Sequence, residues 1–421
     1  VGDITTYPEL SGIKGKHISG TQRAFRFAPA LLVFLLICQL IARSNMVVVD
    51  PLAGKRRTWT TWALDSFVRG SKNAPDVVFL GSSLMLTPLN MADAQALHSK
   101  FDGALHHESN WFAALLKYST GCDITTFDFA VPGEMPSDAF LIEKNLLKAD
   151  KKPKVVVYGV GPRDFMDSLL DSPSATDPYH WLAKLDPPAS EWDFCGQSWY
   201  QRLNCAVSNA FMPNQVRLQL AEDLSLRWAN FVDFCLPAPA GAVAISPQEK
   251  HQMMPNYHPM DVVVGECIFA PRIDMQAGRF VNNLDEYRGR YAHPDWNKFQ
   301  TQLNFLAKLL DLANERHIQF VLVAMPITSI NRDLISDDAW RAYKNGLSVT
   351  ARSKNAVLID MTESSRFTDF DFGDTVHLNA LGGLKMVKEL ADEMVADPRL
   401  SEALGLKHNK SRFANKGVTV L

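Results

Sequence analysis

The chain has 421 residues, of which 47% are hydrophobic and 21% charged, a globular composition that excludes a wholly disordered or collagen-like polypeptide. Lys and Arg total 43 against 46 Asp and Glu, a net charge of -3, so there is no basic excess for broad nucleic-acid binding. Six cysteines are too few for a disulfide scaffold, and no C-x-x-C pair offers a structural zinc site.

In chain order, residues 1–26 read as a polar N-terminal tail on the cytoplasmic side. Phe27–Ala42 (FAPALLVFLLICQLIA) carries no charge and one clear polar residue, Gln39. At helical rise it spans roughly 24 Å, a little short of a bilayer core of about 30 Å. Extending it to residues 27–49 lengthens it, with Arg26 and Arg43 snorkelling to the interfaces. It reads as an uncleaved transmembrane signal anchor. A buried helix of the main body is the competing reading; a cleaved signal peptide fits less well, because no A-x-A-like site follows. The flanking basic residues tie (Lys14, Lys16, Arg23 and Arg26 against Arg43, Lys55, Arg56 and Arg57). If the first segment sets orientation, the body lies outside the membrane. Cys195 and Cys205 can then pair as a disulfide.

Residues 50–75 read as a linker with a short helix, Trp59–Val68. The first half of the main domain, 76–166, opens on an apolar strand, Asp76–Leu80, ending in Gly81-Ser82-Ser83. A helix over Trp111–Tyr118, a strand over Thr125–Ala130 ending in Val131-Pro132-Gly133, and a helix capped by Ser137 and running to Lys148 follow. Lys154–Tyr158 is a near-continuous apolar strand ending in Gly159-Val160-Gly161-Pro162. Residues 167–291 lose this rhythm and read as an insertion or cap, with one helix over Asn214–Phe231. The second half, 292–397, resumes it. Trp296, Phe299, Leu303, Leu306, Leu310 and Ala313 repeat at helical spacing, Ile318–Ala324 and Ala356–Ile359 are strands, and Leu381–Val395 is the last helix. Residues 398–421 read as a C-terminal tail.

Five apolar strands separated by helical patterns imply an α/β fold, a parallel sheet with helices on both faces. Function in such sheets sits at the carboxyl ends of the strands, where the GSS, VPG and GVGP turns all fall. A serine in a small-residue turn after a buried strand can present its hydroxyl there, but needs a base to take its proton. A turn with an ordinary helix cap is the plainer reading of GSS alone. Asp371-Phe372-Gly373-Asp374-Thr375-Val376-His377 supplies the base. Asp374 stands three residues before His377, so its carboxylate can orient one ring nitrogen and leave the other as base. Metal binding by Asp371, Asp374 and His377 is a further reading of the same cluster, and a capped turn opening the last helix is another.

In these blocks the chain resembles the SGNH (GDSL-like) hydrolases, whose fold is a flavodoxin-like three-layer sheet. The family's first block, a strand followed by G-D-S, matches Gly81-Ser82-Ser83 and implies Ser83 as nucleophile. Its last block, D-x-x-H, matches Asp374-Thr375-Val376-His377 and implies the orienter and the base. Gly133 falls where a second block gives a backbone N–H to the oxyanion hole. The third block, usually G-x-N-D, departs: Gly159-Val160-Gly161-Pro162-Arg163-Asp164 puts Gly161 at the Asn position. Arg163 then stands as a replacement donor, an anion binder or a partner of Asp164. The resemblance runs from Asp76 to about Val395, without the insertion. It is nearest to membrane-anchored members with a G-S-S block and P-R-D-F, here Pro162–Phe165. The chain is similar also to anchored proteins of cell-envelope acyl transfer, which work beside a multi-spanning membrane acyltransferase. These resemblances imply an extracytoplasmic body, an envelope glycan or lipid-linked substrate, and an esterase or O-acyltransferase without metal or cofactor. The missing Asn leaves open a catalytically silent accessory subunit of a membrane complex. Elsewhere, His106-His107 reads as an exposed loop and His251 with His258 as a poor metal site. Asp285–Arg290 reads as a salt-linked surface whose arginines fit an acidic polymer. No strand is followed by a nucleotide-binding glycine pattern.

Overall fold

The computed structural model describes residues 29, 31–40, 58–70, 73–170, 172–183, 185, 192–196, 198–210, 228, 268–269, 280–363 and 366–406. The expected tail 1–26, most of the expected helix Asn214–Phe231, His251, His258 and residues 407–421 lie outside them.

Five strands form the main sheet: β1 (Val77–Gly81), β2 (Thr126–Asp128), β3 (Val155–Val160), β4 (Gln319–Ala324) and β5 (Val357–Asp360). All pairs are parallel, in the order β2-β1-β3-β4-β5. β1 and β3 are buried at every position, which their unbroken apolar runs anticipate for a sheet covered on both faces. This is the flavodoxin-like order. Its chain direction switches between β1 and β3, where a crevice opens at the carboxyl ends of the strands.

Right-handed crossovers decide the layers. The step from β1 to β2 runs one way along the sheet and places helices α2 (Ser83–Ala96) and α3 (Asn110–Thr120) on one face. Every later step runs the other way and places α4 (Pro136–Leu146), α7 (Trp296–Glu315) and α8 (Asp337–Ser353) on the opposite face. The last helix, α9 (Ala380–Ala396), returns to the first face and packs on α2 and α3, while α7 packs on α4 and α8. Helix α5 (Arg163–Met166), a single turn after β3, packs on α7, and α6 (Leu284–Tyr291), at the end of the insertion, packs on α5.

Several boundaries differ from the sequence reading for physical reasons. Helix α1 (Trp59–Gly70) is part of the core rather than a linker, since Trp59, Trp62, Leu64 and Phe67 are buried. Helix α4 starts at Pro136, not after Ser137. Pro136 stands within its first turn, where its missing N–H is harmless, and Asp138 three residues into the helix takes the Met135 N–H at 3.0 Å. Helix α8 is new to the structure. Ser336 caps it, and Ala339, Tyr343, Leu347 and Ala351 bury one face at spacing of four. The expected tail begins with a helix, Pro398–Leu404, that buries Leu400 and Leu404.

Within the insertion, Cys195 and Cys205 form a disulfide. Ile268–Phe269 pairs antiparallel with Phe101–Asp102, so the insertion reaches back to the first half of the domain. Of the expected span 27–49, residues 31–40 are described as helical, with Leu32, Phe34, Leu36 and Leu40 exposed. No helix among the described residues is long and apolar enough to cross a membrane.

Candidate active site

The site begins at the end of β1. Gly81 has φ +139°, and a Cβ there would lie 2.5 Å from the Gly159 carbonyl oxygen, so only glycine fits this turn. The chain then reverses into α2. Ser82 is the N-cap, its Oγ accepting the Leu84 N–H, and Ser83 is the first helical residue. Ser83 is half-buried, and its N–H has no acceptor among the described residues, as expected of a first helical turn.

The loop from Phe372 to Leu378 closes on itself. Gly373 N–H donates to His377 O at 2.9 Å, and the two loop ends bridge. Asn379 caps α9 through the N–H groups of Leu381 and Gly382 while its Nδ2 holds the carbonyls of Phe370 and Phe372. The loop therefore projects Asp374 and His377 at a fixed height over the sheet edge. Asp374 Oδ2 stands 2.7 Å from His377 Nδ1, and His377 Nε2 stands 2.8 Å from Ser83 Oγ. The second Asp374 oxygen takes the N–H groups of Val376 and His377 at 2.8 and 2.7 Å. Burial pushes the Asp374 carboxyl up. The hydrogen bonds from His377 and the two backbone groups, with the His377 charge, outweigh it and hold the carboxyl below its usual range. Asp374 is thus a stable anion beside the ring, and Nε2 faces the serine. That is the orienter–base–nucleophile order of a serine hydrolase.

The end of the insertion buttresses this loop. Val281 donates its N–H to Gly373 O at 2.9 Å and bridges Asp374. Asn283 Oδ1 accepts from both the N–H and the hydroxyl of Thr375. From the loop after β4, Thr328 donates to Thr375 O, and Asn331 Nδ2 donates to Thr375 Oγ1 at 3.1 Å. None of these supports was visible in the sequence, because a polar Asn or Thr in a loop reads as solvated.

The second loop follows β1 closely. Phe129 N–H meets Phe79 O at 2.9 Å and Val131 N–H meets Gly81 O at 3.0 Å, so Val131-Pro132-Gly133 runs beside the nucleophile turn. Gly133 has φ +84°, and its N–H has no acceptor among the described residues. The next residue, Glu134, is completely buried, and its Oε1 takes the Gly81 N–H at 3.0 Å. Burial first, then the charges of Asp138 and Asp164, push its carboxyl well up.

The third loop turns away from this role. Gly161 donates its N–H to Asp164 Oδ2 at 2.8 Å, so it is not a free donor. A side chain at Gly161 would start 2.4 Å from Leu84 Cδ1, so the Leu84 side chain would have to move to make room for one. Arg163 donates through Nε to Asp167 at 3.0 Å and lies 3.6 Å from Asp164 through Nη1. It is engaged as an ion-pair partner of these two carboxylates. Arg290, expected on an open salt-linked surface, also pairs with buried Asp167. Asp164 itself is pushed up to about 6 by burial, against the pull of the Arg163 charge and of hydrogen bonds from Gly161 and Ser82.

Among the described residues no cluster could hold a metal ion, so Asp371, Asp374 and His377 do not assemble as ligands; Asp371 instead closes its own turn with Thr368 and pairs with Lys385. His106 and His107 are not an exposed pair. His106 Nε2 reaches buried Asp93 at 2.9 Å, and His107 is buried against Phe127. A cavity of about 220 Å³ is lined by Met135, Phe165, Leu170, Thr301 and Gln302, among others, but neither Ser83 nor His377 forms its wall.

A protein-family model matches residues 295–398, from the N-cap of α7 through α9. No curated protein matches the chain in sequence. Among solved structures, the chain is similar to a GDSL-like lipase from Parabacteroides merdae, at 12% identity and a TM-score of 0.30, over 80% of this chain and 98% of that one. It is similar also to a carbohydrate esterase family 2 enzyme with a carbohydrate-binding domain from Corynascus thermopiles (Myceliophthora fergusii). That match has 12% identity and a TM-score of 0.31, over 80% of this chain and 68% of that one. The chemistry of the site stands on its own geometry, not on these distant likenesses.

Proposed function

We propose that this chain is a serine esterase or O-acyltransferase of SGNH type. The observation that carries the reading is the row Asp374–His377–Ser83, hydrogen-bonded at 2.7 and 2.8 Å at the carboxyl edge of a parallel sheet. Ser83 Oγ attacks an acyl carbonyl as His377 Nε2 takes its proton. The tetrahedral oxyanion forms near the open N–H groups of Ser83 and Gly133. His377 then returns the proton to the leaving alcohol, giving an acyl-serine. Water or a second hydroxyl, deprotonated by His377, attacks the acyl-serine and releases Ser83. Water as acceptor makes an esterase, and a sugar or polymer hydroxyl makes a transferase.

The surroundings favour an ester with an apolar acyl part. Phe280, Val281, Ile330, Phe370 and Leu381 are all exposed. Each belongs to, adjoins or lies close in sequence to a segment hydrogen-bonded to the loop of Asp374 and His377. An envelope glycan or lipid ester is the substrate class this reading favours. The apolar residues 31–40 and the disulfide support a membrane-anchored body in an oxidising compartment, with a multi-spanning acyltransferase as a fitting partner. A silent accessory subunit has no need of an aligned proton-transfer row.

Steady-state hydrolysis of p-nitrophenyl acetate and longer p-nitrophenyl esters tests the reading. The wild type is expected to turn over, and Ser83→Ala to lose activity by at least about 10³-fold. Equal rates in both proteins would remove Ser83 from the mechanism.

A further inference from the structure

We infer that Glu134 is a positioning residue for this reaction: its enclosed carboxyl takes the Gly81 N–H and so fixes the turn that presents Ser83 Oγ to His377. The inference rests on the esterase reading and deepens it.

The turn needs such an acceptor. Strand pairing beside β1 runs out at its end, where the last backbone bonds are Phe129 N–H to Phe79 O and Val131 N–H to Gly81 O. The Gly81 N–H falls between these two bonds, in a fully buried position, and a buried N–H must be satisfied. Glu134 Oε1 satisfies it at 3.0 Å. Ser82 and Ser83 follow directly as the cap and first residue of α2, so the orientation of Gly81 bears on where the nucleophile enters that helix. Glu134 also follows Gly133 directly. One side chain therefore ties the nucleophile turn to the loop whose open N–H stands for the oxyanion.

The chemistry of Glu134 says which form does this. No Lys or Arg bonds to its carboxyl among the described residues, and the charges that bear on it, Asp138 and Asp164, are both acidic. Its second oxygen, Oε2, is buried without a partner. Burial and these neighbours favour the protonated form of Glu134, whose carbonyl oxygen can accept the Gly81 N–H. A glutamine offers the same oxygen at the same reach. Leucine fills similar space and offers none.

The test uses the full chain in detergent, with Glu134→Gln and Glu134→Leu compared with wild type by thermal unfolding, fluorophosphonate labelling rate, and kcat and KM on p-nitrophenyl acetate. Glu134→Leu is expected to lower kcat and the labelling rate together by on the order of 10–10²-fold, the scale of a misplaced reacting group, with KM within about twofold. Glu134→Gln is expected to stay within about threefold of wild type in all three quantities from pH 6 to 9. A folded Glu134→Leu with wild-type kcat overturns the inference. So does a folded Glu134→Gln that falls by tenfold or more, which decides the matter even if the leucine variant does not fold. A wild type that is neither labelled nor active overturns the esterase reading, and this inference with it. A labelled, active wild type with indifferent variants overturns the inference alone.

Discussion

Two loops leave the same edge of the sheet and use their polar groups in opposite ways. The loop that precedes α9 directs Asp374 and His377 outward to Ser83, and its remaining polar groups, Thr375 and Asn379, are spent on holding that posture. The loop after β3 directs its groups inward. Gly161 and Ser82 turn to Asp164, and Arg163 turns to Asp167. Position at a strand's carboxyl end is therefore not enough to make a residue part of the site. What separates the two loops is where their polar groups bond, to the nucleophile in one and to Asp164 and Asp167 in the other.

The sharpest way to break this comparison is in the outward loop. Asp374→Asn keeps the size of the side chain but removes the charge that orients and stabilises the His377 ring. We expect kcat to fall by about 10³–10⁴-fold with little change in unfolding temperature. A loss below tenfold in ester hydrolysis would mean that His377 needs no orienter. The inward loop should respond the other way. Arg163→Gln leaves buried Asp167 with Arg290 as its remaining ion-pair partner, so stability should fall by about 1–3 kcal/mol while kcat changes by less than about fivefold. Denaturant titration and steady-state kinetics on one preparation check both. A large kcat loss without a stability loss would return Arg163 to the oxyanion.

The smallest expected effect concerns pH. Burial pushes Asp138 up to about 7 and Glu143 up to about 8. With Asp164, these folded-state values lie above the ordinary carboxyl range. The native chain therefore keeps protons that the unfolded chain has lost, and stability falls as pH rises from about 4 to about 8. Both Glu143 carboxyl oxygens are buried without partners. Glu143→Gln should flatten the upper part of that decline, between pH 6 and 8.5, in a thermal-unfolding series. An unchanged slope would mean that Glu143 does not titrate in this window. Asp374 acts in the opposite sense, since its lowered carboxyl loses stability only in acid below its usual range.

Much of the fold was legible because apolar runs carry it. The five strands and the helices over α3, α7 and α9 stand out by periodicity alone. Helix α8 did not, since its buried positions include Ala339 and Ala351, which carry little hydrophobic signal. The serine, histidine and aspartate of the site were legible only in combination, in the chain order of the resembled blocks, since GSS alone reads more plainly as a helix cap. Glu134, Asn283 and Asn331 were not. Their roles depend on partners 53, 92 and 44 residues away, and only the folded sheet edge brings those together. Of the readings open for Arg163, the structure shows the pair with Asp164 and adds Asp167, whose burial the sequence did not disclose.

The central claim is that Ser83 is an activated nucleophile. Covalent labelling of the full-length, detergent-solubilised protein with a fluorophosphonate probe, wild type beside Ser83→Ala, tests it most directly. The account predicts a labelled wild type and an unlabelled variant. A folded wild type that stays unlabelled, or equal labelling of both, would contradict it.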